Sequence, residues 1–466
     1  MGSDLESVLA RTDADHPAAV ERLKEFLRIP TISTDPAFAP EVRRGAEWAA
    51  AQLASLGFDA KVVKTEGHPM VLAKHPGPKG VTAPRVLFYG HYDVQPADPL
   101  ELWESPPFEP VVVDGPRGKR VVARGAVDDK GQVMTFIEAL RAWHACAGTP
   151  PCPVTVMLEG EEESGSENLE PFMKSHRKEL DADVAIVSDT GMWDIDTPAI
   201  TTMLRGLVYI EATLTGPSHD LHSGLYGGAI VNPINALARM VASLHDADGR
   251  VAIEGFYDEV RPLPDRTKAQ WAGLGFDEAE FLGAAGLKSG FGEPGFGAME
   301  RTWCRPTCDC NGIKGGYTGE GAKTVIASKA SVKISCRLVA DMCPERTYER
   351  LCAHLRARVP AGCRLDITSF GRNPPIRVAD ESPYLTAAEG ALKHVYGRGP
   401  VRIGTGGSIP AVGSIQRILG LESLLVGFGL DDDRVHSPNE KFELACLRRG
   451  ALSHAAILHA IAQLRP

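Results

Sequence analysis

The chain of 466 residues has no apolar run approaching the ~20 residues that cross a bilayer. A membrane is therefore not an expected partner. Runs of basic residues are missing too. Lys and Arg number 50 against 60 Asp and Glu, a formal net charge of −10, which argues against a nucleic-acid partner. Residues 1–15 are polar and acidic and lack the apolar core of a secretion signal. The expected compartment is the cytoplasm, where the ten cysteines stay reduced. Those cysteines lack the paired Cys-x2-Cys spacing of zinc ribbons. Cys304, Cys308 and Cys310 run C-x3-C-x-C, and Cys308 and Cys310 alternate as in a strand, so they read as small buried apolar residues. Internal repeats and low-complexity linkers are also missing. What remains is an ordinary globular composition, 43% hydrophobic and 24% charged, in a length that admits two or three domains.

Hydrophobic periodicity predicts an opening helix over 17–27, with Val20, Leu23 and Leu27 on one stripe, and a second over 43–56 stopped by Gly57. Strands and helices then alternate: strand 86–89, helix 130–146, strand 154–158, helix 169–178, strand 184–187. This rhythm predicts an α/β fold with a mainly parallel sheet and helices on both faces. It changes near residue 205. A half-exposed strand over 207–215 and an amphipathic helix over 233–244 precede a Gly- and Pro-rich stretch, 251–318, of no clear pattern. One or two strands over 323–339, a helix over 345–357 and a strand over 364–370 complete an α+β inventory. From residue 385 helix and strand return, ending in a long helix, 442–464. The expectation is a discontinuous catalytic domain, 1–205 and 374–466, with a second domain, 206–373, inserted.

Chemistry-bearing residues follow the apolar strands, where open α/β sheets place their ligands. His91 and Asp93 sit in Gly90-His91-Tyr92-Asp93. Asp128 and Asp129 precede the helix at 130. Glu161, Glu162 and Glu163 follow the strand at 154–158, Asp189 follows 184–187, and His436 lies in a late Val435-His436-Ser437-Pro438-Asn439-Glu440. Each piece has a plain reading. His-x-Asp is commonly a surface pair, Asp128-Asp129 a helix cap, and the glutamates a solvated acidic patch. Gathered in one crevice, however, carboxylates repel one another unless cations are bound there. Imidazole with carboxylate suits Zn²⁺ and, with more oxygen, Mn²⁺. The run Gly404–Gly407 lacks the GxxxxGK[ST] frame of a phosphate loop.

The segments GHYDVQP, RGAVDDKG, EGEEESGS, the following SD, DLHSGLYGG, GGSIP and HSPNEK together resemble the M20 family of co-catalytic metallopeptidases, most nearly the carnosinase-like (cytosolic non-specific) dipeptidases. The likeness runs from Leu87 to Glu440. It implies a zinc-peptidase-like catalytic domain with an inserted lid and dimerisation domain, and two divalent ions per subunit, Zn²⁺ first and Mn²⁺ second. By motif position His91 and His436 resemble ligands of one ion each, Asp128 the bridging carboxylate, and Glu163 and Asp189 the remaining ligands. Glu162 looks like the general base of a hydroxide held between the ions. Asp93 looks like the partner that orients His91. The peptide bond Asp128–Asp129 is cis in such proteins.

The same likeness makes His222 the oxyanion donor, supplied by the neighbouring subunit of a homodimer. Read alone, His222 closes a local hydrogen bond in a Gly-rich turn, and His219 is a weaker competitor. Arg337 resembles the anchor of the substrate's C-terminal carboxylate, where its plain reading is an Arg on an exposed strand face. Thr324 and Ser408 resemble further substrate contacts. Ala327, where the family often has Pro, and Cys308 and Cys310 depart from the pattern. The implied activity is hydrolysis of dipeptides or small peptides with a free C-terminus. An N-acyl or N-carbamoyl amino acid amidohydrolase on the same fold is the alternative, and a non-catalytic scaffold is disfavoured because no ligand or base is missing.

Overall fold

The computed structural model describes residues 5–379, 381–407 and 409–465, in two compact units. One runs to Thr202 and resumes over Val378–Ile403 and from Pro410. The other comprises Met203–Arg377 and Gly404–Ile409. The divisions fall a few residues from the expected 205/206 and 373/374. The short Gly-rich segment Gly404–Ile409 groups with the second unit although sequence flanking it on both sides belongs to the first.

The first unit is built on a sheet whose central strands are Val154–Glu159, Val86–His91, Val184–Val187 and Glu422–Leu425, adjacent in that order and parallel. Antiparallel Met70–His75 and Asp59–Val63 extend one side. Every residue of Val86–His91, Val154–Glu159 and Val184–Val187 is buried, the pattern of parallel strands covered on both faces by helices. Leu5–Leu27, Lys130–Ala147 and Leu444–Ala462 pack on one another. Phe136 of the second stacks on Phe88 of the sheet at 3.9 Å between ring centres. The first of these helices begins earlier than the expected residue 17. The stripe of Val20, Leu23 and Leu27 extends back through Thr12 and Val8, both buried, so Pro17 sits inside the helix. There it forgoes one backbone hydrogen bond, a cost that the burial of this longer stripe outweighs.

In the second unit a four-stranded antiparallel sheet is ordered Thr307–Gly315, Lys329–Leu338, Gly206–Thr215, Arg364–Asn373. Gly206–Thr215 alternates buried and half-buried residues without a break. Its buried face meets Pro233–Ala242 and Pro344–Arg356 over a core of Val208, Ile210, Leu237, Val332 and Leu351. The patternless stretch contains three short helices, Asp265–Ala272, Glu278–Ala284 and Ala298–Trp303. Cys308 is buried as expected, but Cys310 is exposed. Cys310 pairs with the buried Ile334, and the register shifts between it and Gly312. Among the described residues no helix is long and apolar enough to cross a membrane.

Candidate metal centre

The site lies in the first unit, beyond the carboxyl ends of its parallel strands. His91 is the last residue of Val86–His91. Glu162 and Glu163 form a tight turn after Val154–Glu159, and Asp189 follows Val184–Val187. Asp128 sits two residues before the helix Lys130–Ala147. His436 comes from the loop after Glu422–Leu425, where Arg434, His436 and Asn439 all hold left-handed φ between 58° and 63°. Non-glycine residues adopt that conformation rarely and at some energetic cost, more often at functional sites than elsewhere.

These side chains form two groups that share one member. His91, Asp128 and Asp189 bring one ligand atom each within 4.8 Å of one another, and so do Asp128, Glu163 and His436. Asp128 spans the two: its Oδ1 lies 3.0 Å from His91 Nε2 and its Oδ2 2.9 Å from His436 Nε2. His436 Nε2 is also 3.2 Å from Glu163 Oε1. The far side of the His91 ring faces Asp93, with Nδ1 3.4 Å from its carboxylate. Asp93 in turn accepts the Glu163 N–H at 3.0 Å. The Asp128–Asp129 peptide is cis, and Asp129 Oδ2 accepts the His91 N–H at 3.0 Å. Gly90 permits that approach, since a Cβ there would lie 2.8 Å from Asp129 Oδ2 and 2.7 Å from Val133.

The electrostatics are those of crowded buried acids. Burial pushes the Asp189 carboxyl well above its ordinary range, and the charges of Asp128, Glu162 and Glu163 add to it. Burial, reinforced by Glu163, Asp128 and Asp93, raises Glu162 to about 7. Burial opposes ionisation of Asp128 as well, but hydrogen bonds to His436 and His91 hold it far below the usual carboxylate range. His436, bonded to Asp128 and Glu163, is raised to about 10. Asp129 Oδ1 is buried with no hydrogen-bond partner. A donor set of two imidazoles and three carboxylates, arranged as two triads around a shared Asp128, fits a pair of divalent cations, whose charge favours the ionised carboxylates.

Three supporting residues carried no assigned role in the sequence. Glu440, fully buried, accepts from Arg124 Nη1 at 2.6 Å and from the N–H groups of Gly125, Val127 and Asp128 at 2.9–3.1 Å. It therefore fixes the loop that carries Asp128. Gln95 donates to Glu163 Oε2 at 2.7 Å. Glu161 turns away from Glu162 and Glu163 to accept from His68 N–H at 2.7 Å and from Asn168. The only sequence signal for these was their place inside GHYDVQP, EGEEESGS and HSPNEK.

The remaining expected residues lie in the second unit. The two-residue strands Leu221–His222 and Val325–Ile326 pair, bringing His222 opposite Val325, and Thr324 O accepts the Ser223 N–H at 3.1 Å. His222 is exposed and its Nδ1 accepts the Gly224 N–H at 2.9 Å, so the local hydrogen bond of the plainer reading is present. His219 Nδ1 pairs with Ser218 Oγ at 3.0 Å. Arg337 is on the half-exposed face of Lys329–Leu338, opposite Thr307 and Leu207 in the neighbouring strands. Ser408 lies outside the described residues.

A sequence model of peptidase family M20/M25/M40 matches residues 87–460. The chain is 32% identical over 479 residues to the Cys-Gly metallodipeptidase DUG1 of Saccharomyces cerevisiae, covering 98% of each chain. It is 30% identical to the human Beta-Ala-His dipeptidase, covering 99% of this chain and 93% of the relative. Among solved structures, the M20 family metallo-carboxypeptidase Sso-CP2 from Sulfolobus solfataricus superposes with a TM-score of 0.82 at 31% identity, over 96% of this chain and 99% of the other.

Proposed function

Because the chain belongs to peptidase family M20/M25/M40, we propose that it hydrolyses the amide bond of dipeptides and small peptides bearing a free C-terminal carboxylate. The observation that carries this reading is Asp128, shared between two triads of metal-ligating side chains, with Glu162 half-buried beside them. His91, Asp128 and Asp189 would hold one ion and Asp128, Glu163 and His436 the other, Zn²⁺ in first place and Mn²⁺ in second. When bound, such ions polarise an amide carbonyl and make water acidic near neutral pH.

The chain's own residues handle the proton. Glu162, beside the two triads, is placed both to accept a proton from the attacking water on its carboxylate and to release it to the leaving amine nitrogen. Asp93 holds the His91 ring in place through Nδ1. In neutral His222, Nδ1 is an acceptor, so the proton resides on Nε2. That N–H is a donor for the carbonyl oxygen as it gains charge. Arg337 holds the substrate's carboxylate as a planar fork, with Thr324 and Ser408 as further substrate contacts.

The names of the yeast and human relatives point to Cys-Gly and β-Ala-His as first substrates to try. A panel of these and other dipeptides, beside N-acetyl and N-carbamoyl amino acids, tests the reading. Turnover of dipeptides is expected. Turnover of the acyl or carbamoyl compounds alone would replace peptide hydrolysis with amidohydrolase activity. A cytoplasmic homodimer in which His222 serves the neighbouring subunit is part of the proposal. Mixing inactive Glu162→Gln and His222→Ala chains should then restore roughly a quarter of the wild-type activity, through the one intact site of each mixed dimer. Activity no greater than that of the separate variants would refute the shared site.

A further inference from the structure

A second arginine of the second unit, Arg205, has no part in the mechanism above. It immediately precedes the strand Gly206–Thr215, in which Gly206 pairs with Leu338 and Leu207 with Arg337. Side chains directly opposite and two residues apart share a face. Arg205, Leu207 and Arg337 therefore lie on the same side of the sheet, together with Thr307, which pairs with Arg337, and Asp309. This is the half-exposed side, away from the core of Val208, Ile210 and Val332.

The Arg205 guanidinium is tied down by carbonyl oxygens. Nε donates to Gly406 O at 3.1 Å, and Nη1 reaches Arg301 O at 3.5 Å. Gly406 belongs to Gly404–Ile409, the short segment that groups with this unit. A Cβ at Gly406 would lie 2.8 Å from Arg205 Nη2 and so would displace the guanidinium, and one at Gly404 would lie 2.8 Å from Trp303 Cβ. Gly407 N–H in turn bonds Thr405 Oγ1 at 3.3 Å. Arg205 thus fixes the Gly-rich loop against the sheet, while none of these hydrogen bonds neutralises its charge.

Arg205 and Arg337 also feel each other electrostatically. Burial first, and then the positive charge of Arg337, lower Arg205 to about 10, with Asp309 opposing. The Asp309 carboxylate is exposed and accepts from Thr307 Oγ1 at 2.9 Å. The charges that act on Arg205 are thus those of a second guanidinium, Arg337, and of one carboxylate, Asp309. A single carboxylate is the group whose charge and planar shape answer a pair of guanidinium groups.

We propose that Arg205 is a specificity-determining residue: it pairs with Arg337 to form a two-arginine receptor for the free carboxylate of the substrate and anchors the Gly404–Gly407 loop beside it. The inference rests on the reading of the protein as a peptidase for substrates with a free C-terminus. Metal-loaded wild-type, Arg205→Lys and Arg205→Met proteins should be compared on one dipeptide and on its C-terminal amide, with ion content and unfolding midpoint measured for each. Wild type should favour the acid. Arg205→Met should raise KM for the acid roughly tenfold or more, change kcat little, and leave the amide nearly unaffected. Arg205→Lys, which keeps the charge without the fork, should fall between.

A merely structural role would lower turnover of acid and amide alike and leave their ratio intact. That unchanged ratio in Arg205→Met, or in Arg205→Lys should the Met variant not fold, overturns the proposal while the peptidase reading stands. A wild type that does not distinguish acid from amide, or cleaves neither, overturns the free-carboxylate reading and this proposal together.

Discussion

His454 stands in the core without a charge. It lies edge-on to Phe88, Phe136 and Phe428, with ring centres 5.2–5.9 Å away. Ser188 Oγ, next to Asp189, donates its hydrogen to Val426 O at 2.7 Å, so His454 Nε2 carries the proton that reaches Ser188 at 3.1 Å. Nδ1 is buried without a partner, and burial lowers the imidazole to about 3. The folded protein therefore stays neutral there while the unfolded chain takes up a proton below its ordinary 6.5. Stability from this group is complete above pH 6.5 and falls as pH drops from 6.5 towards 3, by up to ~1.4 kcal/mol per pH unit. Urea unfolding from pH 7 to 4.5 should show a shallower acid loss in His454→Gln than in wild type. Equal slopes would show that His454 is not kept neutral. At this scale the sequence was most legible where chemistry is scarce. His91 and Asp189 follow apolar strands, Asp128 precedes a helix and His436 lies in a late loop, and the structure gathers them in two triads. The three consecutive glutamates were not separable by composition: Glu161 is distinguished by the distant His68 and the nearby Asn168 that it binds.

The loop that bears Asp128 is held from 300 residues away in sequence. Glu440 and Arg124 form a fully buried ion pair, with Trp103 beneath the guanidinium at 5.5 Å. The same carboxylate receives the loop N–H groups of Gly125, Val127 and Asp128. Removing it strands a buried guanidinium, a loss of ~3–5 kcal/mol, and frees the backbone of Asp128. Glu440→Ala should lower the unfolding free energy by about that amount and weaken divalent-ion binding at the same time. Calorimetric titration that finds unchanged ion affinity would separate the loop from the site. Strands and their acidic loops could be read because buried parallel strands are short apolar runs with clear ends. The three helices between 265 and 303 could not, because they are short and bury few residues: Asp277 caps one through the N–H groups of Ala279 and Glu280, a local signal lost among many Gly and Pro.

Across the whole molecule, order along the chain and grouping in space diverge in one place. Gly404–Ile409 interrupts the first unit and belongs to the second, where Arg205 receives it; no periodicity marks such a loop, so the sequence suggested a simple two-cut insertion. The acidic balance has a comparable explanation. Part of the net charge of −10 is concentrated in the buried carboxylates around Asp128, which fit a metal cradle better than a solvated surface. The central claim is that these carboxylates hold two ions and that Glu162 moves the proton between water and amine. Ion content measured together with dipeptide hydrolysis, on wild type and Glu162→Gln, tests it most directly. The account predicts about two divalent ions per chain in both proteins, hydrolysis that disappears with chelation and returns with added Zn²⁺ or Mn²⁺, and a ~10²–10⁴-fold slower Glu162→Gln. Hydrolysis that persists in ion-free protein, or proceeds undiminished in ion-loaded Glu162→Gln, would contradict it.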